Sequence, residues 1–229
     1  MWPFFTFYGG KWRAAPHYPL PTNDIIIEPF AGAAGFATRY PDRKVILYDL
    51  DPVIAGIWNY LIHVSQADIR SLPIDVTNVD DLNIPQEAKW LIGFWLNKGA
   101  ASPCKTPSLW MRQKIRPNSF WGEAIRSRIA TQVTEIRHWI VKNEAYSEIN
   151  NITATWFIDP PYSVQGRYYR YNSVDYGSLG AWCESRHGQV IVCEQEGAEW
   201  LPFQPFRTIK ANEGGNGKRF SNEVIWVNE

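Results

Sequence analysis

The residues best suited to chemistry in this sequence are Asp159, Pro160, Pro161 and Tyr162, which follow the apolar run Trp156-Phe157-Ile158. A carboxylate at the end of a buried strand projects from the carboxyl edge of its sheet, where open α/β folds hold their ligands. The Asp159 carboxylate and the Pro160 carbonyl are two neighbouring acceptors, matched to the two N–H donors of an exocyclic amine such as that of adenine. That amine is a poor nucleophile because its lone pair is delocalised into the ring. Accepting both hydrogens favours a pyramidal nitrogen that can attack. The prolines stiffen the turn and fix the acceptors, as a proximity-driven group transfer requires. Tyr162 is then placed to stack on the base. The plainer reading of these four residues is a rigid turn after a strand.

A second constellation precedes it. Glu28-Pro29-Phe30-Ala31-Gly32-Ala33-Ala34-Gly35 follows Ile25-Ile26-Ile27, and its small side chains let the backbone approach a ligand closely. Asp49 ends the next apolar run, Val45 to Tyr48, 17 residues beyond Gly32, where an acid commonly accepts from ribose hydroxyls. Tight packing of a helix on a strand would also use such a turn. Only Gly32 and Gly35 remain of the fuller glycine pattern that seats a pyrophosphate. A nucleoside cofactor without pyrophosphate fits better, and S-adenosyl-L-methionine is one.

Basic residues supply the third signal. The formal net charge is zero, but residues 97–143 carry nine Lys/Arg against two acids, leaving the remainder at −7. Lys98, Lys105, Arg112, Lys114 and Arg116 lie in a Pro- and Ser-rich stretch. Downstream, Gly166-Arg167-Tyr168-Tyr169-Arg170-Tyr171 interleaves cations with aromatics. Both suit phosphate contact and stacking with an extruded base. A solvated helix face and an aromatic loop packed on the core are the bland alternatives.

These residues need a scaffold, and the apolar periodicity predicts one. Short buried strands alternate with helices: a helix from about Gly35, one through Ile54, Ile57, Trp58, Leu61 and Ile62, one over 86–96, and one over 123–142. In the last, Ile125, Ile129, Val133, Ile136 and Ile140 recur at spacings of three and four. A strand over 189–193 follows a short helix, and 206–210 and 223–227 flank Gly214 to Gly217 as a hairpin would. The expected fold is α/β, a Rossmann-like, mostly parallel doubly wound sheet with a C-terminal antiparallel hairpin. A catalytic domain of residues 1–97 and 122–229 is expected to carry a small target-recognition insertion at 98–121.

With these motifs in order, the chain resembles the Dam-like (D12 class) DNA adenine methyltransferases of bacteria and phages, some of which serve restriction-modification. The resemblance rests on Phe7-Tyr8-Gly9-Gly10-Lys11, Glu28 to Gly32, Asp49, Asp159 to Tyr162, and the ending Lys218-Arg219-Phe220-Ser221-Asn222-Glu223-Val224-Ile225. It implies an S-adenosylmethionine-dependent methyltransferase fold and transfer of a methyl group to the N-6 amine of adenine in DNA, flipped from the helix. It also implies cofactor contacts at Phe7, Lys11, Glu28, Phe30, Gly32, Asp49 and Asp159. Two departures stand out: Ala34 replaces the second glycine of the family's cofactor turn, so a Cβ must be tolerated there or the turn shifted toward Gly35, and the insertion is short.

An RNA base methyltransferase and a catalytically silent nucleic-acid-binding protein remain open alternatives. Cys104, Cys183 and Cys193 are too far apart for metal ligation or a disulfide framework, and the four histidines are scattered. The apolar start, Met1 to Tyr8, is too short for a secretory signal. The expectation is a cytoplasmic monomer acting on DNA, without metal or membrane. Trp110 and Trp121 are the tryptophans considered for DNA contact.

Overall fold

The computed structural model describes residues 1–113, 119–163, 170–212 and 218–228. Seven strands form one sheet: β1 (Ile25–Glu28), β2 (Lys44–Tyr48), β3 (Ile140–Lys142), β4 (Ala154–Ile158), β5 (Gly188–Gln195), β6 (Gln204–Asn212) and β7 (Lys218–Val227). Their order is β3-β2-β1-β4-β5-β7-β6. The first five are parallel; β7 pairs antiparallel with both β5 and β6. This is the mostly parallel Rossmann-like sheet with a closing hairpin that the sequence predicts. The expected turn at Gly214 to Gly217 lies outside the described residues.

Period-two alternation sends the strand side chains into two cores, one on each face. Ile26, Val45, Leu47, Phe157, Ile191 and Cys193 enter the larger one. Ile27, Trp156, Ile158, Val190 and Val192 enter the smaller. Helices α1 (Pro52–His63), α2 (Gln66–Ser71), α3 (Gln86–Leu96), α4 (Leu109–Arg112) and α5 (Glu123–Gln132) precede β3, and α6 (Tyr176–Glu184) lies between β4 and β5. The apolar stripes of α1, α3 and α5 feed the larger core, and Leu179 and Cys183 of α6 feed the smaller. Asp51 caps α1 by accepting from Val53 N at 2.9 Å, with Pro52 at the first helical position.

Two expected helices are shorter than the periodicity suggested. The one from Gly35 is a single 3₁₀ turn, Ala37–Arg39. The N-terminal segment takes its polar groups: Met1 donates its ammonium to Thr38 O at 2.8 Å, and Arg39 donates to Trp12 O. Pro41 follows at once, and a proline resists helix continuation. The second, over 123–142, ends in the 3₁₀ turn Val133–Ile136 and then becomes β3. Ile140 satisfies both a helical and a strand period, but it pairs with Ile46 of β2 and is exposed, so it leaves the buried stripe.

The described residues of the segment at 98–121 fold back over α3 rather than standing away from the core. Cys104 N donates to Gly93 O and Ser108 N to Leu96 O, each within 3.2 Å. A Cβ on Gly93 would stand 2.7 Å from Cys104 O, so this glycine is what allows the approach. Trp121 is buried, donating to Pro73 O at 2.7 Å, which removes it from any nucleic-acid surface; Trp110 is exposed. Among the described residues, no helix is long and apolar enough to cross a membrane, and no cluster of His, Cys, Asp and Glu could hold a metal.

Candidate active site

The carboxyl ends of β1, β2 and β4 open into one cavity of about 420 Å³, closed on other sides by Phe7 to Lys11, Glu144 to Tyr146 and Arg170 to Val174. That volume lies within the usual range for small-molecule sites. Phe7, Lys11, Glu28, Phe30, Gly32, Asp49, Asp159, Pro161 and Arg170 all line it, so three sequence-distant motifs meet in one place.

The turn after β1 is held by Asp49, Trp58 and Tyr48. Asp49 Oδ2 accepts from Gly32 N and its Oδ1 from Asp51 N, both at 2.9 Å. Trp58 of α1 donates its indole N–H to Gly32 O at 2.8 Å, and Ala31 N donates to Tyr48 O at 2.9 Å. Gly32 has φ +44°, and a Cβ there would meet the Phe7 ring at 3.0 Å. Ala34 also adopts a left-handed φ, +45°, so the departure from the glycine pattern is met by strain at an alanine rather than by shifting the turn. Gly35 meets a different need: a Cβ would lie 2.6 Å from Trp12 N and 2.9 Å from Lys11 N and C. Its bare backbone lets the Lys11 segment lie against the turn.

That contact delivers Lys11 to Asp159. The Lys11 ammonium is buried, 2.8 Å from one Asp159 oxygen and 2.9 Å from the other, and also donates to Gly9 O at 2.8 Å. Burial raises the Asp159 pKa, with the Lys11 charge pulling the other way. The Tyr162 ring lies beneath the same ammonium, 4.7 Å from centroid to nitrogen. It packs toward the larger core and is absent from the cavity lining. The structure therefore gives Tyr162 a contact with Lys11 that the sequence did not show.

The loop that carries Asp159 is braced from below. Tyr176 Oη donates to Pro161 O at 2.6 Å. Glu194, fully buried at the end of β5, accepts from Ser163 N and Trp200 Nε1, both at 3.1 Å, and from Gln195 N at 2.8 Å. Among the described hydrogen bonds none uses the Pro160 carbonyl, the second acceptor named in the sequence.

Acids dominate the lining. Glu28, Asp49, Asp51, Glu144 and Asp159 face Lys11 and Arg170. Glu28 accepts from Ala37 N at 2.6 Å, and burial pushes its carboxyl up to about 8. Asp49 is pushed up to about 6 by burial, against the donors it accepts. Such a cavity suits a cation or a hydroxyl-rich ligand and disfavours a polyphosphate. Leu50 and Phe30 supply apolar walls suited to a planar ring.

Of the basic residues, Arg170 lines the cavity, and Ala101 brings the segment at 98–121 to its edge, where Tyr8 N donates to Ala100 O. Lys98 lies 5.8 Å from the Phe120 ring, Lys105 is paired with Asp80 at 2.7 Å, and Arg112 is exposed. Lys114, Arg116 and Arg167 lie outside the described residues. Sequence reasoning missed Leu50, Asp51, Glu144 and Tyr146 in the lining and Glu223 behind it. Glu144 and Tyr146 follow the unrecognised strand β3; Glu223 was a visible signal, an acid directly before the apolar run Val224 to Val227 of β7.

No protein-family model matches the sequence, and no match was found among curated proteins. Likenesses among solved structures are weak, and three of them are these. A conserved hypothetical protein from Streptococcus pyogenes is 11% identical over 96% of this chain and 92% of its own, with a TM-score of 0.39. A Haemophilus influenzae protein provisionally described as a methylase is 10% identical over 89% and 78%, with a TM-score of 0.36. An Escherichia coli protein provisionally described as a methyltransferase is 9% identical over 88% and 73%, also with a TM-score of 0.36. At these scores no functional reading rests on them.

Proposed function

We propose that this chain transfers a methyl group from S-adenosyl-L-methionine to the exocyclic amine of adenine in DNA. The observation that carries the reading is the Asp159 carboxylate, held by Lys11 at the carboxyl edge of the sheet and facing the same cavity as the glycine turn and Asp49. The donor set fits the cofactor. Asp49 and Asp51 offer acceptors for ribose hydroxyls, Phe30 and Leu50 offer walls for a purine, and the acidic lining offsets a sulfonium charge. When bound, S-adenosylmethionine supplies an electrophilic methyl group.

The chain's own residues do the rest. Asp159 and the Pro160 carbonyl accept the two amine hydrogens, so the nitrogen lone pair is directed away from the ring system. Tyr176 and Glu194 keep that loop from drifting by holding Pro161 O and Ser163 N. No strong base is needed, because the methylated nitrogen becomes acidic enough to lose its proton to water. An adenine inside a duplex cannot reach this edge, so the base must be extruded. Arg170 at the cavity wall, with Lys98 and Arg112, supplies the cations that would receive the backbone around it.

The test is incubation with methyl-labelled S-adenosylmethionine and unmethylated DNA, with RNA in parallel, followed by digestion and identification of the modified nucleoside by mass spectrometry. N6-methyladenine in DNA supports the reading. Label only in RNA moves the substrate to RNA, and cofactor binding without label in either overturns methyl transfer to nucleic acid.

A further inference from the structure

Behind Asp159, among the described residues, one buried ammonium serves more than one acid. Besides its contacts with Asp159, the Lys11 ammonium lies 3.9 Å from Glu223 Oε1 on β7, and the Lys11 and Glu223 side chains are only 6% and 8% exposed. Tyr18 donates its hydroxyl to Glu223 Oε2 at 3.4 Å. One buried ammonium therefore faces two carboxylates. Strand alternation makes the arrangement unavoidable: Phe157 and Asp159 leave β4 on the side where Ile191 and Cys193 leave β5, and Ile225 and Glu223 leave β7 on that side too. A carboxylate at such an inward position costs several kcal/mol of desolvation unless it is paired, and an apolar residue would pack there at less cost.

We propose that Glu223 is a positioning residue for the Asp159 carboxylate, acting through the Lys11 ammonium that the two acids share. This rests on the reading of Asp159 as an acceptor for the target amine. An ammonium paired with Asp159 alone would draw most of its electron density and compete with the amine hydrogens. Glu223, on another side of the ammonium, takes up part of that charge and holds Lys11 back from the cavity. Asp159 is then kept oriented and still able to accept. The other groups facing the pair are Tyr162 beside Asp159, Tyr18 from the N-terminal segment, Glu28 of β1, Cys193 of β5 and Arg207 of β6. Burial disfavours charge on Tyr18, Tyr162 and Cys193, so the titrating unit is the shared ammonium with the Asp159 and Glu223 carboxylates and the Glu28 carboxyl, which burial pushes up to about 8.

Carboxyl-¹³C labelling of Asp and Glu, with resonances assigned through Asp159→Asn and Glu223→Gln, tests this directly. In the wild-type protein, the two resonances should each titrate in two steps, because each acid senses the other's proton. In Glu223→Gln, Asp159 should lose the step that tracks Glu223 and titrate at lower pH, since Lys11 no longer shares its charge with Glu223. Glu223→Asp keeps the charge and should restore the two-step curve. A single-step Asp159 curve in wild type that Glu223→Gln leaves unmoved overturns the proposal, and Glu223→Asp, which keeps the charge, supplies the assignment and the comparison if Glu223→Gln does not fold. Turnover adds a second reading: Glu223→Gln should lower kcat by about 10- to 100-fold, as slight misplacement of a reacting group does, with KM for the cofactor nearly unchanged. A wild-type protein that transfers no methyl group refutes the proposed function, while the titration still decides the coupling.

Discussion

Replacing Gly35 by alanine isolates the contact that brings the two halves of the site together. The added methyl would sit 2.6 Å from Trp12 N and 2.9 Å from Lys11 N and C, roughly 0.8 Å inside an ordinary van der Waals contact. Every obstructing atom is backbone, so no rotamer change relieves it, and the turn and the Lys11 segment must part. Overpacking of this kind costs about 1–3 kcal/mol, and the stiffer unfolded chain returns about 0.4–1 kcal/mol. The net loss of about 1–2 kcal/mol corresponds to a fall in Tm of about 2–8 °C for a chain of this size. Activity should suffer more. Lys11 rides on the displaced segment, and a shift approaching 1 Å in a group that orients the reacting centre costs about 10²-fold in rate. The assays are calorimetry and kcat/KM for methyl transfer, with Gly177→Ala as control, where the methyl comes no closer than 3.4 Å to Asp175 Oδ1. A Gly35→Ala protein with wild-type Tm and turnover would refute the argument that this glycine exists to seat Lys11.

Three further outcomes follow from the same geometry. Ala34→Gly should stabilise the protein by about 0.5–1 kcal/mol in urea unfolding, because the left-handed φ of Ala34 costs more than the extra chain entropy of glycine. Glu28→Gln should flatten the pH dependence of stability. The folded-state carboxyl is raised from 4.5 to about 8, so the native protein keeps a proton that the unfolded chain releases, and stability declines through that window by about 1.4 kcal/mol per pH unit; unfolding curves taken across it check the slope. Tyr176→Phe removes the donor to Pro161 O and should cost about 1 kcal/mol of stability and a larger fraction of kcat, with cofactor affinity retained by calorimetry.

The site was more legible than its supports. Asp159, Asp49 and Gly32 were readable because each ends or follows an apolar run, and a strand end in an open sheet fixes where its next residue points. Lys11 was readable only through the resemblance, since nothing in a Gly-Gly-Lys turn shows that its ammonium is drawn 148 residues along the chain to Asp159. Helix length after Gly35 was illegible for a related reason: the partners of that turn, Met1 and Trp12, arrive from elsewhere. Ile140 misled because one residue satisfied two periods, and β3 is an edge strand of three residues with little pattern of its own. Tyr162 was read only as a stacking partner for the base, and nothing local showed that its ring lies against the Lys11 ammonium and the larger core. Long-range electrostatic pairing is what local pattern does not carry.

The most direct test of the account is single-turnover methyl transfer to unmethylated DNA by wild type and Asp159→Asn, with S-adenosylmethionine affinity measured on the same preparations. Asp159→Asn keeps the shape of the side chain but loses the charge that Lys11 holds and the amine needs. The account predicts transfer slowed by about 10²- to 10³-fold, the usual cost of losing one preorganised polar group at the reacting centre, with cofactor affinity within a few-fold of wild type. Transfer at the wild-type rate by Asp159→Asn would contradict it.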